Sequence, residues 1–262
     1  MKICVLVKEV PDAAVEKRID PSTGRMDRSG EKNLNPYDTH AIEAAMQIRE
    51  GGTAVEDIVA VTMGPQSAVR ALHKAVSLGA DRSIQLTDSV LEGSDVAATG
   101  YALAQTLKRE QPDLVLLGQQ SDDGECYTIG AVVADHLGMP SLTQVIKMDI
   151  EEGALRCERQ AEYGYDTVQV RLPAVISVGD AINEPRYPSL KAIMGAKKKP
   201  LETLTASDAE IDASKVGQEN SACQFLALKP PPQKPAGEII EDEDTNETVD
   251  RIVAWLEERK LL

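Results

Sequence analysis

Along residues 1–140 the apolar positions alternate between two periods. Short β-branched runs recur at Ile3–Val7, Ile58–Met63, Ser83–Leu86 and Leu114–Leu117. Leu114–Leu117 carries no polar interruption, as expected of a strand covered on both faces. Between the runs, apolar residues fall at helical spacing: Ala41, Ile42, Ala45 and Ile48; then Val69, Leu72, Ala75 and Val76; then Val96, Tyr101, Leu103 and Leu107. The punctuation agrees. Asn35-Pro36-Tyr37-Asp38 introduces the first helix and Gly51-Gly52 stops it; Gly64-Pro65 opens the second and Gly79 ends it; Ser94 reads as the N-cap of the third. A fourth helix runs from about residue 128 to Leu137, before Gly138. Strictly alternating strands and helices predict right-handed crossovers and a doubly wound, mostly parallel α/β sheet.

After residue 140 the pattern changes. Leu155–Gln160 and Thr167–Leu172 read as antiparallel strands around a Gly164 turn, and Ala174–Val178 as a further strand, so the sheet gains an antiparallel extension. Beyond Lys199 the apolar density falls. The chain therefore divides into an α/β nucleotide-binding domain over residues 1–200 and an extended C-terminal arm over 201–262. In the arm, residues 229–236 (Lys-Pro-Pro-Pro-Gln-Lys-Pro-Ala) favour polyproline-like structure, and Glu241–Asp244 is an acidic run. Val249, Ile252, Val253 and Leu256, with Trp255 beside them, make a terminal helix. That helix either wraps a partner subunit or folds back onto its own domain; the sequence favours neither.

Residues 183–199 stand apart. Pro185 and Pro188 stiffen a loop that leads into Leu190, Ala192, Ile193 and Met194 and then into Lys197, Lys198 and Lys199. The chain has 43 acidic and 28 basic side chains, so three consecutive lysines form a local exception. An apolar tip with a basic flank suits docking onto an acidic partner. The plainer reading is a solvated surface loop.

The formal net charge of −15 and the scarcity of aromatic residues argue against a nucleic-acid surface. Cys4, Cys126, Cys157 and Cys223 form no C-x-x-C, and His40, His73 and His136 are scattered, so no zinc-ligand spacing exists. These are the reduced thiols expected of a cytoplasmic protein. The N-terminal apolar run reads as a first strand, and no apolar run approaches membrane-spanning length.

In an open α/β sheet, ligands bind beyond the carboxyl ends of the strands. Val7-Lys8, Met63-Gly64-Pro65 and the segment from Gly118 to Gly130 converge there. That last segment, rich in glycine and polar residues, leaves the fourth strand and runs into a helix, whose free N–H groups, with Thr128, offer an anion cradle. It is neither a Walker loop nor G-x-G-x-x-G. Asp122, Asp123 and Glu125 would repel a phosphate unless they turn outward, bond sugar hydroxyls or organise the loop; an acidic solvated loop or a weak Mg²⁺ site is the rival reading. No G-x-S-x-G and no placed Cys–His pair point to nucleophilic catalysis.

In order and spacing, seven segments resemble the electron-transfer flavoprotein beta subunits: Val5-Leu6-Val7-Lys8, Asn35-Pro36-Tyr37, Val61-Thr62-Met63-Gly64-Pro65, Leu78-Gly79-Ala80-Asp81, Leu116-Leu117-Gly118-Gln119-Gln120, Val170-Arg171-Leu172-Pro173-Ala174-Val175 and the loop at 183–199. The resemblance implies a Rossmann-like domain paired with an alpha subunit in a heterodimer. It implies an electron carrier rather than an enzyme, working between flavin dehydrogenases, such as acyl-CoA dehydrogenases, and a quinone-linked oxidoreductase. FAD would sit mainly on the alpha subunit and AMP on the beta subunit. The residues matching the AMP site are Leu6, Asn35, Pro36, Tyr37, Asp38, Met63, Gln120, Ser121, Asp122, Asp123, Gly124, Glu125, Cys126, Tyr127, Thr128, Ile129, Gly130 and Ala131. Leu190 matches the leucine that enters a dehydrogenase pocket, with Arg186, Tyr187, Ile193 and Met194 beside it and Lys197, Lys198 and Lys199 as a basic rim.

Two departures from the family pattern bear on this. Arg159-Gln160-Ala161-Glu162-Tyr163-Gly164-Tyr165 replaces an acidic-Gly-Gly turn. Asp123-Gly124-Glu125-Cys126 has the glycine of electron-bifurcating relatives, which bind a second FAD in place of AMP and take electrons from NADH, but lacks their threonine. Cys126 supplies no hydroxyl and Tyr127 is bulky, which favours AMP. A stand-alone adenine-nucleotide-binding protein is the alternative of another class.

Overall fold

Four parallel strands form the centre of the sheet in the computed structural model of the chain: β1 (Lys2–Leu6), β2 (Asp57–Met63), β3 (Arg82–Leu86) and β4 (Leu114–Gly118), in the order 4-1-2-3. The structure describes all residues except 227, 230, 231, 233–235, 238 and 240–243. The period of two sorts side chains to two faces. Ile3, Val5, Ile58, Ala60, Leu114 and Leu116 face α1 (Pro36–Glu50) and α2 (Val69–Leu78). Cys4, Leu6, Val59, Val61, Val115 and Leu117 face α3 (Val96–Glu110) and α4 (Ile129–Leu137). Both faces are dry, which is why these runs read as continuously apolar.

Helix ends follow side-chain chemistry. Asp95, one residue beyond the expected Ser94, caps α3, its carboxylate accepting the Ala98 N–H at 2.9 Å. Ser94 instead donates its hydroxyl to the Leu91 carbonyl. At Gly100 a Cβ would collide with Val132, so this glycine lets α3 and α4 pack closely.

Beyond α4 come β5 (Ser141–Glu151), β6 (Ala154–Ala161), β7 (Gly164–Arg171), β8 (Ala174–Val178) and, after α5 (Leu190–Ala196), β9 (Leu201–Leu204). The full sheet runs β7-β6-β5-β8-β4-β1-β2-β3-β9, antiparallel only across β5-β6-β7. This is a Rossmann-like doubly wound sheet with an antiparallel extension. Strand β5 has no counterpart among the sequence-predicted elements. Gln144 takes φ 57°, and the pairing of β5 with β8 shifts register near it, so the apolar alternation is broken where it would have shown.

Residues Met1–Leu228 form one unit and Lys229–Leu262 a second. The division lies further along the chain than residue 200. Strand β9 extends the sheet beside β3, and Leu204, Ala206, Ala209, Ile211 and Val216 join the core over α3. Small residues at sparse spacing leave little periodic trace. In the second unit, Asp244 caps α6 (Thr245–Glu258), on which Val249, Ile252, Val253 and Trp255 are exposed and Arg259 lies 4.2 Å over the Trp255 ring. The expected polyproline-like run and acidic run fall largely outside the described residues.

A chain ending at Leu228 should keep a cooperative thermal transition by circular dichroism. One ending at Pro200 uncovers Ile84 and Leu86 and should lose it.

Candidate functional site

The chain winds outward from β1 through β2 and β3, then crosses back to β4 on the other side of β1, so the topological switch point lies between β1 and β4. Asp38, buried in the first turn of α1, ties the two strand ends together. One carboxylate oxygen accepts the Lys8 N–H at 2.8 Å, and the other accepts the Asn35 amide at 2.8 Å and the Gly118 N–H at 3.3 Å. Asn35 extends the frame: its NH₂ also donates to the Gln120 carbonyl at 2.8 Å, and its side-chain oxygen accepts the Asp122 N–H at 3.1 Å. A Cβ on Gly118 would stand 2.6 Å from the Tyr37 carbonyl carbon, so glycine sets how closely α1 meets β4. Burial pushes the Asp38 carboxyl up to about 7, against the hydrogen bonds from Asn35 and the Lys8 and Gly118 amides.

The loop after β4 is acidic, and its acids are paired. Asp123, whose side chain is wholly buried, receives Lys8 Nζ at 2.7 Å on one oxygen and Arg28 Nη2 at 2.6 Å on the other. Lys17 Nζ reaches the Asp122 carboxylate at 2.9 Å and its carbonyl at 2.7 Å. Burial alone would raise the Asp123 pKa. The Lys8 charge and hydrogen bonds from Lys8, Arg28 and Ser121 outweigh it and hold the carboxyl at about 2. Gly124 and Glu125 both donate to the Ser121 carbonyl, closing a tight turn. Glu125 (φ 45°) and Tyr127 (φ 56°) occupy the left-handed region. Of the three readings open for these carboxylates, organising the loop describes Asp122 and Asp123; Glu125 is exposed.

Thr128 at the start of α4 makes no side-chain cap, and the Val132 N–H is the first to bond back into the helix, to the Thr128 carbonyl at 3.1 Å. The N–H groups of Ile129, Gly130 and Ala131 therefore have no intrahelical acceptor. Gly130 sits where a Cβ would press on Leu117 at 3.3 Å, seating the helix on β4. The side-chain oxygen of Gln120 is buried without a hydrogen-bond partner. The structure thus gathers Leu6, Asn35, Pro36, Tyr37, Asp38 and residues 120–131 at one pair of strand ends, with Met63 closing the adjacent β2. Sequence reasoning missed Lys17, Arg28 and the Lys8 amine. They lie about a hundred residues from the acids they hold, where no spacing rule links them.

The loop at 183–199 forms a second surface. Pro188 precedes Ser189, whose hydroxyl accepts the Ala192 N–H at 3.2 Å and caps α5, so the prolines lead into a short helix rather than an irregular loop. On and just before α5, Tyr187, Leu190, Ile193 and Met194 are exposed, Leu190 by 78%. Lys197, Lys198 and Lys199 follow, also exposed. Arg186 points inward: its guanidinium grips Glu43 at 2.6 and 2.9 Å and Glu50 at 2.7 and 2.9 Å, both on α1. Asn183 donates its amide to the His40 carbonyl at 3.0 Å. The 183–199 segment and the strand-end frame thus share one helix.

Among the described residues, no helix is long and apolar enough to cross a membrane. Because Asp123 is held below its unfolded pKa, its contribution is present above about pH 4 and lost as the pH falls towards about 2. Asp123→Asn should lower stability near neutrality by on the order of 2 kcal/mol. Urea unfolding of the two proteins should converge at the acid end; parallel curves down to pH 2.5 would contradict the pairing.

The Electron transfer flavoprotein domain family model matches residues 23–209. The chain is 41% identical to the electron transfer flavoprotein subunit beta of Mycobacterium tuberculosis (strain H37Rv), over 99% of both chains. It is 38% identical to that of Thermoanaerobacterium thermosaccharolyticum and 36% to the caffeyl-CoA reductase-Etf complex subunit CarD of Acetobacterium woodii, over the full length of each. Matches of this extent, carried on a Rossmann-like sheet with the loop and frame just described, place the chain in the electron transfer flavoprotein family, among its beta subunits.

Proposed function

We propose that the chain forms a heterodimer with an alpha subunit and carries electrons from flavin dehydrogenases, such as acyl-CoA dehydrogenases, to a quinone-linked oxidoreductase, holding AMP at the ends of β1 and β4. The observation that carries the nucleotide reading is the uncapped N-terminus of α4 beside a loop whose two aspartates are already paired. Free amides at a helix N-terminus suit a phosphate. The unpartnered Gln120 oxygen offers an acceptor for a donor group on a ligand. Asn35, Asp38 and Gly118 hold the wall against which such a ligand rests. These features fit a nucleoside monophosphate. FAD, held mainly by the alpha subunit, supplies the redox chemistry, and the residues here position and bind.

Leu190 is the proposed apolar anchor for the dehydrogenase. A large side chain exposed by 78% on a capped helix, tied to α1 through Arg186, is preorganised to enter a pocket. The three lysines beside it quicken encounter with an acidic partner more than they strengthen the bound state.

Heterodimer purified with its alpha partner and denatured is expected to release one AMP and one FAD, read by chromatography and mass spectrometry. Two FAD and no AMP would assign the second FAD, NADH-accepting reading instead; absence of any purine would overturn the cradle. Leu190→Ala should lower the rate of electron transfer from a dehydrogenase by about tenfold, equivalent to losing one well-packed anchor of 1–2 kcal/mol. Its melting temperature should stay within a degree or so, because an exposed side chain carries little folding energy.

A further inference from the structure

Residues 9–34 are the part of the chain that the function above does not use. They leave the sheet at Lys8 and return at Asn35, so the excursion begins and ends in the strand-end frame. Its base is a ribbon pairing Glu9–Pro11 with Lys32–Leu34, and a smaller ribbon pairs Ile19–Asp20 with Arg25–Met26. The base is riveted to the short turn just before α2. Lys32 Nζ lies 2.9 Å from both Glu9 and the Ser67 hydroxyl, and Ser67 donates to Glu9 at 2.9 Å. Further out, Arg25 donates to Gln218 at 3.1 Å. The excursion is thus held at several points, and it presents two cations, Lys17 and Arg28, to the acidic loop.

The charges decide what this does. Stripped of partners, Asp122, Asp123 and Glu125 put three negative charges into the four residues 122–125 of the loop that leads to the α4 amides, and a phosphate would be repelled. Lys8, Lys17 and Arg28 bring three positive charges onto Asp122 and Asp123, at 2.7, 2.9 and 2.6 Å. With Glu125 included, the three cations and three acids sum to zero. The contacts also shape the loop: Lys8 Nζ is 3.2 Å from the Ser121 hydroxyl, Ser121 supplies the carbonyl that turns Gly124 and Glu125, and Lys17 holds the Asp122 carbonyl directly.

We propose that residues 9–34 are a clamp on the nucleotide cradle, with Lys17 and Arg28 as positioning residues that neutralise the 121–125 loop and fix its backbone amides for a phosphate. This rests on the nucleotide reading above. Neither cation needs to touch the ligand; each acts through the loop aspartate it holds. The Lys17–Asp122 pair is partly exposed and adds little to stability, and buried Asp123 keeps Lys8 when Arg28 is removed, so the effect should appear in ligand affinity more than in folding.

The test uses the heterodimer with its alpha partner, stripped of nucleotide and titrated with AMP calorimetrically. Wild type must first bind AMP; if it does not, the nucleotide reading fails and takes the clamp with it. Given binding, Lys17→Gln and Arg28→Gln should each weaken AMP about tenfold or more, with a melting temperature close to wild type in the nucleotide-free state. The exchanged pair Lys17→Asp with Asp122→Lys should recover most of the affinity lost in Lys17→Asp alone, and Arg28→Lys should keep more than Arg28→Gln. Wild-type-like affinity in both glutamine variants would overturn the clamp while leaving the AMP site standing. An affinity loss that tracks a lowered melting temperature, with no recovery in the exchanged pair, would reduce these residues to structural braces and overturn it as well.

Discussion

One buried carboxylate holds the working end of this sheet together. Asp38 receives the backbone N–H groups of Lys8, just past β1, and of Gly118, the last residue of β4, and through Asn35 it reaches the first residues of the loop after β4. Strand ends at a switch point diverge, and their last amides have lost ladder partners, so something polar must meet them in a dry setting. An acceptor with two oxygens serves both strands at once. The same requirement explains Gly118, since any side chain there would push α1 off the carboxylate it delivers.

Electrostatics then separates two kinds of acid in the site. Asp38 is enclosed by neutral donors, and burial dominates, raising its pKa. The Asp123 side chain is also enclosed, yet two cations override burial and lower it. Solvation alone would have moved them the same way; their partners set them apart. An overall charge of −15 is therefore a poor guide to this corner of the molecule, where cations from a distant segment balance the loop.

Helix α1 serves two surfaces. Its first turn carries Asp38, and its later turns carry His40, Glu43 and Glu50, which hold the 183–186 stretch ahead of α5. Placing both on one rigid element keeps the exposed Tyr187, Leu190 and Met194 presented at a fixed distance from the strand ends. An apolar group this exposed would be a liability on a mobile loop; here, a capped helix and a doubly bound arginine fix its direction.

The doubly wound sheet, its helices and the seven family segments were legible because they rest on local patterns: β-branched runs, helical spacing, glycines and caps. So were the strand-end loop and the apolar tip at 190–194. Strand β5 escaped because a left-handed Gln144 breaks its alternation, and residues 201–216 because their burial comes from crossing α3 rather than from periodicity. The sequence by itself determined the fold class, the family and which loops face the working end of the sheet, since period and turn chemistry act between near neighbours. Only the tertiary structure decided what the acids of the loop do. Lys17 and Arg28 meet Asp122 and Asp123 across about a hundred residues, and a charge pair of that separation exists only once the sheet has brought its ends together.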